Sequence, residues 1–158
     1  IQELLARMTD FIERESGIPS RFEEYVASGK NKYEIEHIWA NHFERHLDEF
    51  GHEADFQEFR NRIGGLLILP KSFNASYSDK PYQEKLKHYF GQNLLAKSLH
   101  KDCYEHNPGF LRFIKESGLS FKPHAEFRKN DLEERSKLYQ DIAEKLWSPS
   151  RLDEEARS

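Results

Sequence analysis

Only two stretches of this chain read as β-strand, and that limit governs what the rest must do. Tyr33-Glu34-Ile35-Glu36-His37-Ile38 carries the β-branched and aromatic residues of a strand. Ile63-Gly64-Gly65-Leu66-Leu67-Ile68-Leu69-Pro70 is a short apolar run stopped by proline. Two strands make one small sheet, which is marginal in water by itself, so helices must hold it. Helical spacing is easy to find. Leu4, Leu5, Met8, Phe11 and Ile12 recur at helix intervals between residues 2 and 15, and Gly17 and Pro19 end that element. A short helix fits Ser20 to Val26, and two helical pieces fit residues 41–50 and 55–62, parted around Gly51. Residues 71–79 read as a polar loop. Pro81 opens a helix with Tyr82, Leu86, Tyr89 and Phe90 on one side. Asn107-Pro108 starts another helix and Gly118 stops it. Leu132, Tyr139, Ile142, Ala143 and Leu146 mark the last helix.

The expected architecture is α+β and mostly helical: a two-stranded β-hairpin plus helix, embedded in flanking helices. One domain spans 1–158, with its core at about 33–90, helical flanks at 1–30 and 91–147, and a charged tail at 148–158. The 12 Phe, 7 Tyr and 2 Trp supply enough large apolar surface for a folded core, although 33% of residues are charged. The single cysteine, Cys103, excludes an internal disulfide and a CxxC zinc knuckle, and is expected to be a small buried residue. A reducing cytoplasm is the natural compartment. No apolar run approaches the roughly 18 residues of a membrane span. The chain starts at Ile1 rather than Met, so it reads as a trimmed chain or a piece of a larger protein. The net charge of −4 does not advertise a nucleic-acid binder, but binding depends on where charge sits rather than on its sum.

The chemistry-bearing residues lie around the two strands. Glu36 and His37 end the first, and Asn74 follows the second, 37 positions beyond His37. Phosphodiester hydrolysis needs a deprotonated water, a cation to absorb charge on the phosphate, and ligands for that cation. Carboxylate and amide oxygens are hard donors suited to Mg²⁺, and an imidazole titrating near pH 6.5 can take a proton from water. Neighbours on a regular strand point to opposite faces. The chain must therefore twist or end at Glu36-His37 for both side chains to serve one phosphate.

At these residues the sequence resembles the HNH (ββα-metal) nuclease domain at the C-terminal end of GmrSD-type restriction proteins. Residues 33–38 look like that family's first strand, and residues 63–74 resemble its "GNLTLL…LN" segment. Asp79-Lys80-Pro81-Tyr82-Gln83-Glu84-Lys85 is similar to its "(K)xF/YxxK" helix start, and the helix from Arg135 to Trp147 is also similar. The resemblance covers roughly residues 33–147. It implies Glu36 and Asn74 as metal ligands, His37 as general base, and Mg²⁺, or Mn²⁺ in its place, as cofactor. It further implies DNA as substrate, a defence role against foreign or modified DNA, and a nucleotide-hydrolysing domain upstream. A homodimer would be one route to cutting both strands. One departure stands out: the family's Asn in "GNL" is Gly65 here, and Asn61 and Asn41 are the candidate replacements.

Each residue also has a plainer reading. His37 could be a satisfied histidine at a strand end, Glu36 a surface carboxylate paired to Lys or Arg, and Asn74 a cap. Lys71, Lys80, Lys85 and Lys87 flank the proposed site as phosphate contacts or as solvated charge, with Lys85 favoured for contact by the resemblance. His42, His46 and His52 offer an alternative zinc site if residues 41–50 form a helix. Gly65 and the acidic net charge also motivate a rival in another class, a non-catalytic DNA-binding or interaction module on a degenerate nuclease scaffold.

Overall fold

The computed structural model describes residues 1–148. The charged tail expected at the C-terminus therefore lies, from residue 149 on, outside the described residues. Helices α1 (Gln2–Glu15) and α2 (Phe22–Val26) lead into β1 (Tyr33–His37), and α3 (Glu53–Arg60) precedes β2 (Leu66–Pro70). Then follow α4 (Lys71–Tyr77), α5 (Tyr82–Tyr89), α6 (Leu94–Lys97), α7 (Pro108–Ser117) and α8 (Lys129–Leu146). The fold is the mostly helical α+β arrangement that the two-strand limit demands. β1 and β2 pair antiparallel from Tyr33↔Pro70 to His37↔Leu66. No helix among the described residues is long and apolar enough to cross a membrane.

The hairpin is held from several sides. Leu66 to Leu69 are all buried, as a strand covered on both faces requires. Asn93, which caps α6, donates from Nδ2 to the Ile68 carbonyl at 2.8 Å. The Tyr139 hydroxyl of α8 donates to the Leu66 carbonyl at 2.7 Å. Directly before β2, Ile63–Gly65 form a tight turn against α8. A Cβ on Gly64 would fall 2.2 Å from the Ser136 nitrogen, so only glycine lets the turn pack this closely. On the N-terminal side the buried Glu13 carboxylate ties three helices together. It accepts from Tyr25 Oη at 2.5 Å, from Arg21 at 3.1 Å and from the Leu94 backbone N–H at 3.1 Å.

Two local expectations are corrected. Residues 71–79 are not a loop: Pro70 leads directly into α4, because Phe73 is buried against Tyr77 and Tyr89 at ring separations of 5.0 and 5.5 Å. Tertiary burial outweighs the polar composition of that stretch. Residues 41–50 do not form a regular helix; Phe43–Arg45 make one tight turn, and a second closes where the Glu49 and Phe50 backbone N–H groups donate to the His46 carbonyl at 3.0 Å. Their aromatic side chains wrap a stack of Trp39 on Phe56, whose rings lie 5.8 Å apart and nearly parallel, instead of lining one helical face. The indole N–H of Trp39 bonds the Phe127 carbonyl at 2.6 Å. α1 ends beside Gly17, and α7 starts at Pro108 and stops at Gly118 in the left-handed conformation (φ 72°), as expected, whereas residues 63–65 of the expected second strand form the turn before β2 and the helix expected over 55–62 spans Glu53–Arg60. Cys103 is buried, and burial pushes its thiol up to about 11.

Candidate active site

β1, β2 and α4 form a strand–strand–helix unit, and Glu36, His37 and Asn74 sit on it. His37 is the last residue of β1 and is half-buried. Its Nε2 lies 2.8 Å from Asn61 Oδ1, at the C-terminal end of α3. The amide of Asn61 is oriented by its own Nδ2, which donates to the Gln57 carbonyl at 2.8 Å. Oδ1 must then accept, so Nε2 carries the imidazole proton and Nδ1 keeps its lone pair. Of the two candidate replacements for the missing Asn at 65, the structure places Asn61 on the histidine. Asn41 instead accepts from Gln57 Nε2 at 2.6 Å. Position 65 itself is crowded: a Cβ there would meet Leu132 Cδ1 at 3.1 Å and the Arg60 carbonyl at 3.2 Å. Burial lowers the pKa of His37; the Asn61 bond opposes this, while Arg60 and Lys85 lower it further. The ring is therefore neutral at physiological pH, the state a base needs.

Glu36 turns to the other face, as strand alternation requires, and is 2% exposed. Its Oε1 lies 3.3 Å from the Lys85 ammonium, which also donates to the His37 carbonyl at 2.9 Å. Burial raises the pKa of Glu36, opposed by the charges of Lys85 and Arg60. Burial likewise lowers that of Lys85, opposed by Glu36. The expectation that Lys85 meets a DNA phosphate is corrected here: its side chain is fully buried in an internal ion pair. Lys71, at the start of α4, and Lys80, before α5, are exposed.

Asn74 lies on α4, and its Nδ2 reaches the Ile35 carbonyl at 3.2 Å and Glu34 Oε2 at 3.3 Å. The amide thus meets β1 at the residue next to Glu36. Buried side-chain oxygens without a hydrogen-bond partner are rare in folded proteins. Among the described residues they include Glu36 Oε2 and Asn74 Oδ1. Both are hard acceptors with no donor to meet them, which fits a divalent cation.

Other candidate ligands are already engaged. His42 places its two ring nitrogens against Glu44 and Asp79, and His46 packs on Trp39 at 4.7 Å. The helix that would align them is absent, and among the described residues His42, His46 and His52 do not gather into a metal-sized cluster. Ligand atoms of His124, Asp131 and Glu134 lie within 4.8 Å of one another. Their partners are internal, however. His124 bonds Asp131 at 2.9 Å, Asp131 accepts from the Arg128 backbone at 2.8 Å, and Glu134 pairs with Lys122 at 2.6 Å. This is the capped start of α8.

His37 thus offers one open nitrogen of a neutral imidazole, next in sequence to a buried carboxylate of which one oxygen, Oε2, meets no donor. The match to known families agrees: the family described as GmrSD restriction endonucleases, C-terminal domain, covers residues 16–155, and the chain belongs to it. It is accordingly a C-terminal domain of the restriction-endonuclease kind. No curated protein and no solved structure matches it.

Proposed function

We propose that this domain is an HNH-type endonuclease that hydrolyses phosphodiester bonds of DNA with a divalent metal ion, in restriction of foreign or modified DNA. The observation that carries this reading is the His37–Asn61 pair: it leaves Nδ1 of a neutral imidazole open at the end of the strand that also carries Glu36. Glu36 and Asn74 would hold the cation through their donor-less oxygens. When bound, such an ion stabilises negative charge on the phosphate, and Mg²⁺ or Mn²⁺ suits those ligands. His37 Nδ1 takes one proton from water as the water oxygen bonds to phosphorus; the opposite P–O ester bond breaks, and its oxygen acquires a proton from solvent. Asn61 holds the ring in the tautomer this needs. Lys71 and Lys80 are exposed and suited to backbone phosphates.

Asn61 supplies what Gly65 lacks, which favours a working enzyme over a non-catalytic module. A DNA partner, a cytoplasmic setting, an upstream nucleotide-hydrolysing domain and pairing of two copies for double-strand cutting belong to this same reading. The test is plasmid nicking with Mg²⁺ or Mn²⁺. His37→Ala is expected to abolish nicking while its circular dichroism and thermal unfolding match the parent. Full activity in that variant would refute the assignment.

A further inference from the structure

Helix α3 ends in two consecutive residues that both fasten to the segment leaving β1. Asn61 bonds the ring of His37, and Arg60 Nε donates to the Trp39 carbonyl at 2.9 Å, two residues further on. That bond uses one of the five N–H donors of the guanidinium. The four on Nη1 and Nη2 meet no acceptor among the described residues, although Arg60 is half-buried. The other half-buried arginines among the described residues are committed: Arg21 to Glu13 and Arg62 to Glu58. Arg60 has no such carboxylate. It nevertheless stands at the site: its neighbour Asn61 holds the ring of His37, and its own Nε is fixed to the chain two residues beyond that histidine.

A planar, partly desolvated cation with four idle donors beside a base matches a tetrahedral anion with two non-bridging oxygens. We propose that Arg60 is a catalytic phosphate-binding residue, whose Nη1 and Nη2 grip the non-bridging oxygens of the phosphodiester attacked by the His37-activated water. The Trp39 carbonyl sets the plane of the fork. This inference rests on the nuclease reading for the identity of the anion. Its contribution lies in charge that grows during attack, so it is felt in turnover more than in DNA affinity.

The experiment compares wild type, Arg60→Met and Arg60→Lys on a DNA duplex and on the same duplex with an uncharged methylphosphonate at the cleaved position. Both variants are expected to lose about 100-fold or more in kcat on the natural duplex, with KM within about twofold. On the methylphosphonate, where the gripped oxygen is gone, the gap between variants and wild type closes. Unchanged kcat, or an equal loss on both substrates, overturns the proposal. Should Arg60→Met fail to unfold cooperatively, Arg60→Lys decides: it keeps stem and charge, so wild-type turnover in it shows a mere strut. Absence of cleavage by the wild type would sink the nuclease reading instead. In that case the Arg60 Nε–H resonance, identified by its loss in Arg60→Lys, is followed while the duplex is added in EDTA. A saturable shift supports phosphate contact, and an unmoved resonance overturns it.

Discussion

Asn61 Oδ1 accepts the imidazole N–H of His37 across 24 residues of sequence, at 2.8 Å, and so settles which ring nitrogen is available to water. Outer partners of this kind orient a reactive group, and removing them typically costs about 10–100-fold. Asn61→Ala is therefore expected to lower kcat by roughly that factor while KM stays near its original value. Imidazole nitrogen chemical shifts supply the independent check: wild type shows His37 protonated on Nε2, and Asn61→Ala shows a mixture of tautomers. A wild-type spectrum with the proton on Nδ1 would contradict the assignment.

Lys85 and Glu36 form an ion pair in which both side chains are almost wholly buried. Removing one partner of such a pair strands the other charge, at a cost of about 3–5 kcal/mol. Lys85→Met should lower the unfolding free energy by that order in denaturant titrations. If Glu36 also holds a cation, added Mn²⁺ should raise the melting temperature of the wild type, because a ligand bound only by the folded state stabilises it. Glu36→Gln should abolish that response. A melting temperature indifferent to Mn²⁺ would argue against the ligand role of Glu36.

The buried His124 makes stability depend on pH with a definite sign. Burial lowers its pKa and Arg135 adds to the effect, while its bond to Asp131 opposes it. The unfolded chain then binds the proton more readily than the folded one. The contribution is fully present above the unfolded value of about 6.5 and is lost as pH falls through it toward the folded value. For a single group the slope is at most roughly 1.4 kcal/mol per pH unit. His46, also lowered chiefly by burial, adds in the same direction. His124→Gln is expected to flatten the decline between neutral and mildly acidic pH, and thermal unfolding across that range measures it. An identical decline in the variant would assign the acid sensitivity elsewhere.

Much of this arrangement was readable in the residues, and the exceptions have physical causes. Helices such as α1 and α7 announce themselves because spacing and stop signals are local. The strand pair follows from composition, and the placement of Glu36, His37 and Asn74 around it follows from their order in the chain. The loop assigned to residues 71–79 failed because Phe73 and Tyr77 find ring partners on α5, which no local rule shows. The burial of Lys85 left a trace that periodicity could have caught. It lies three residues after Tyr82 and four before Tyr89, both buried, so it shares their face. Arg60 and Asn61 left no such trace. Their partners, Trp39 and His37, are more than twenty residues away, and sequence spacing does not encode the orientation of a ring.

The clasp that α8 places on the second strand has a consequence for the chain as it is being made. Gly64 donates to Ser136 at 3.2 Å, and the Leu66 carbonyl is held by Tyr139. Both anchors lie on α8, which leaves the ribosome after every other described helix. Until then the strand bearing Leu66 lacks the two bonds that α8 supplies, and its remaining support comes from the earlier elements, the Asn93 bond to the Ile68 carbonyl among them. α8 therefore completes the clasp on the hairpin only after every other described element has been made.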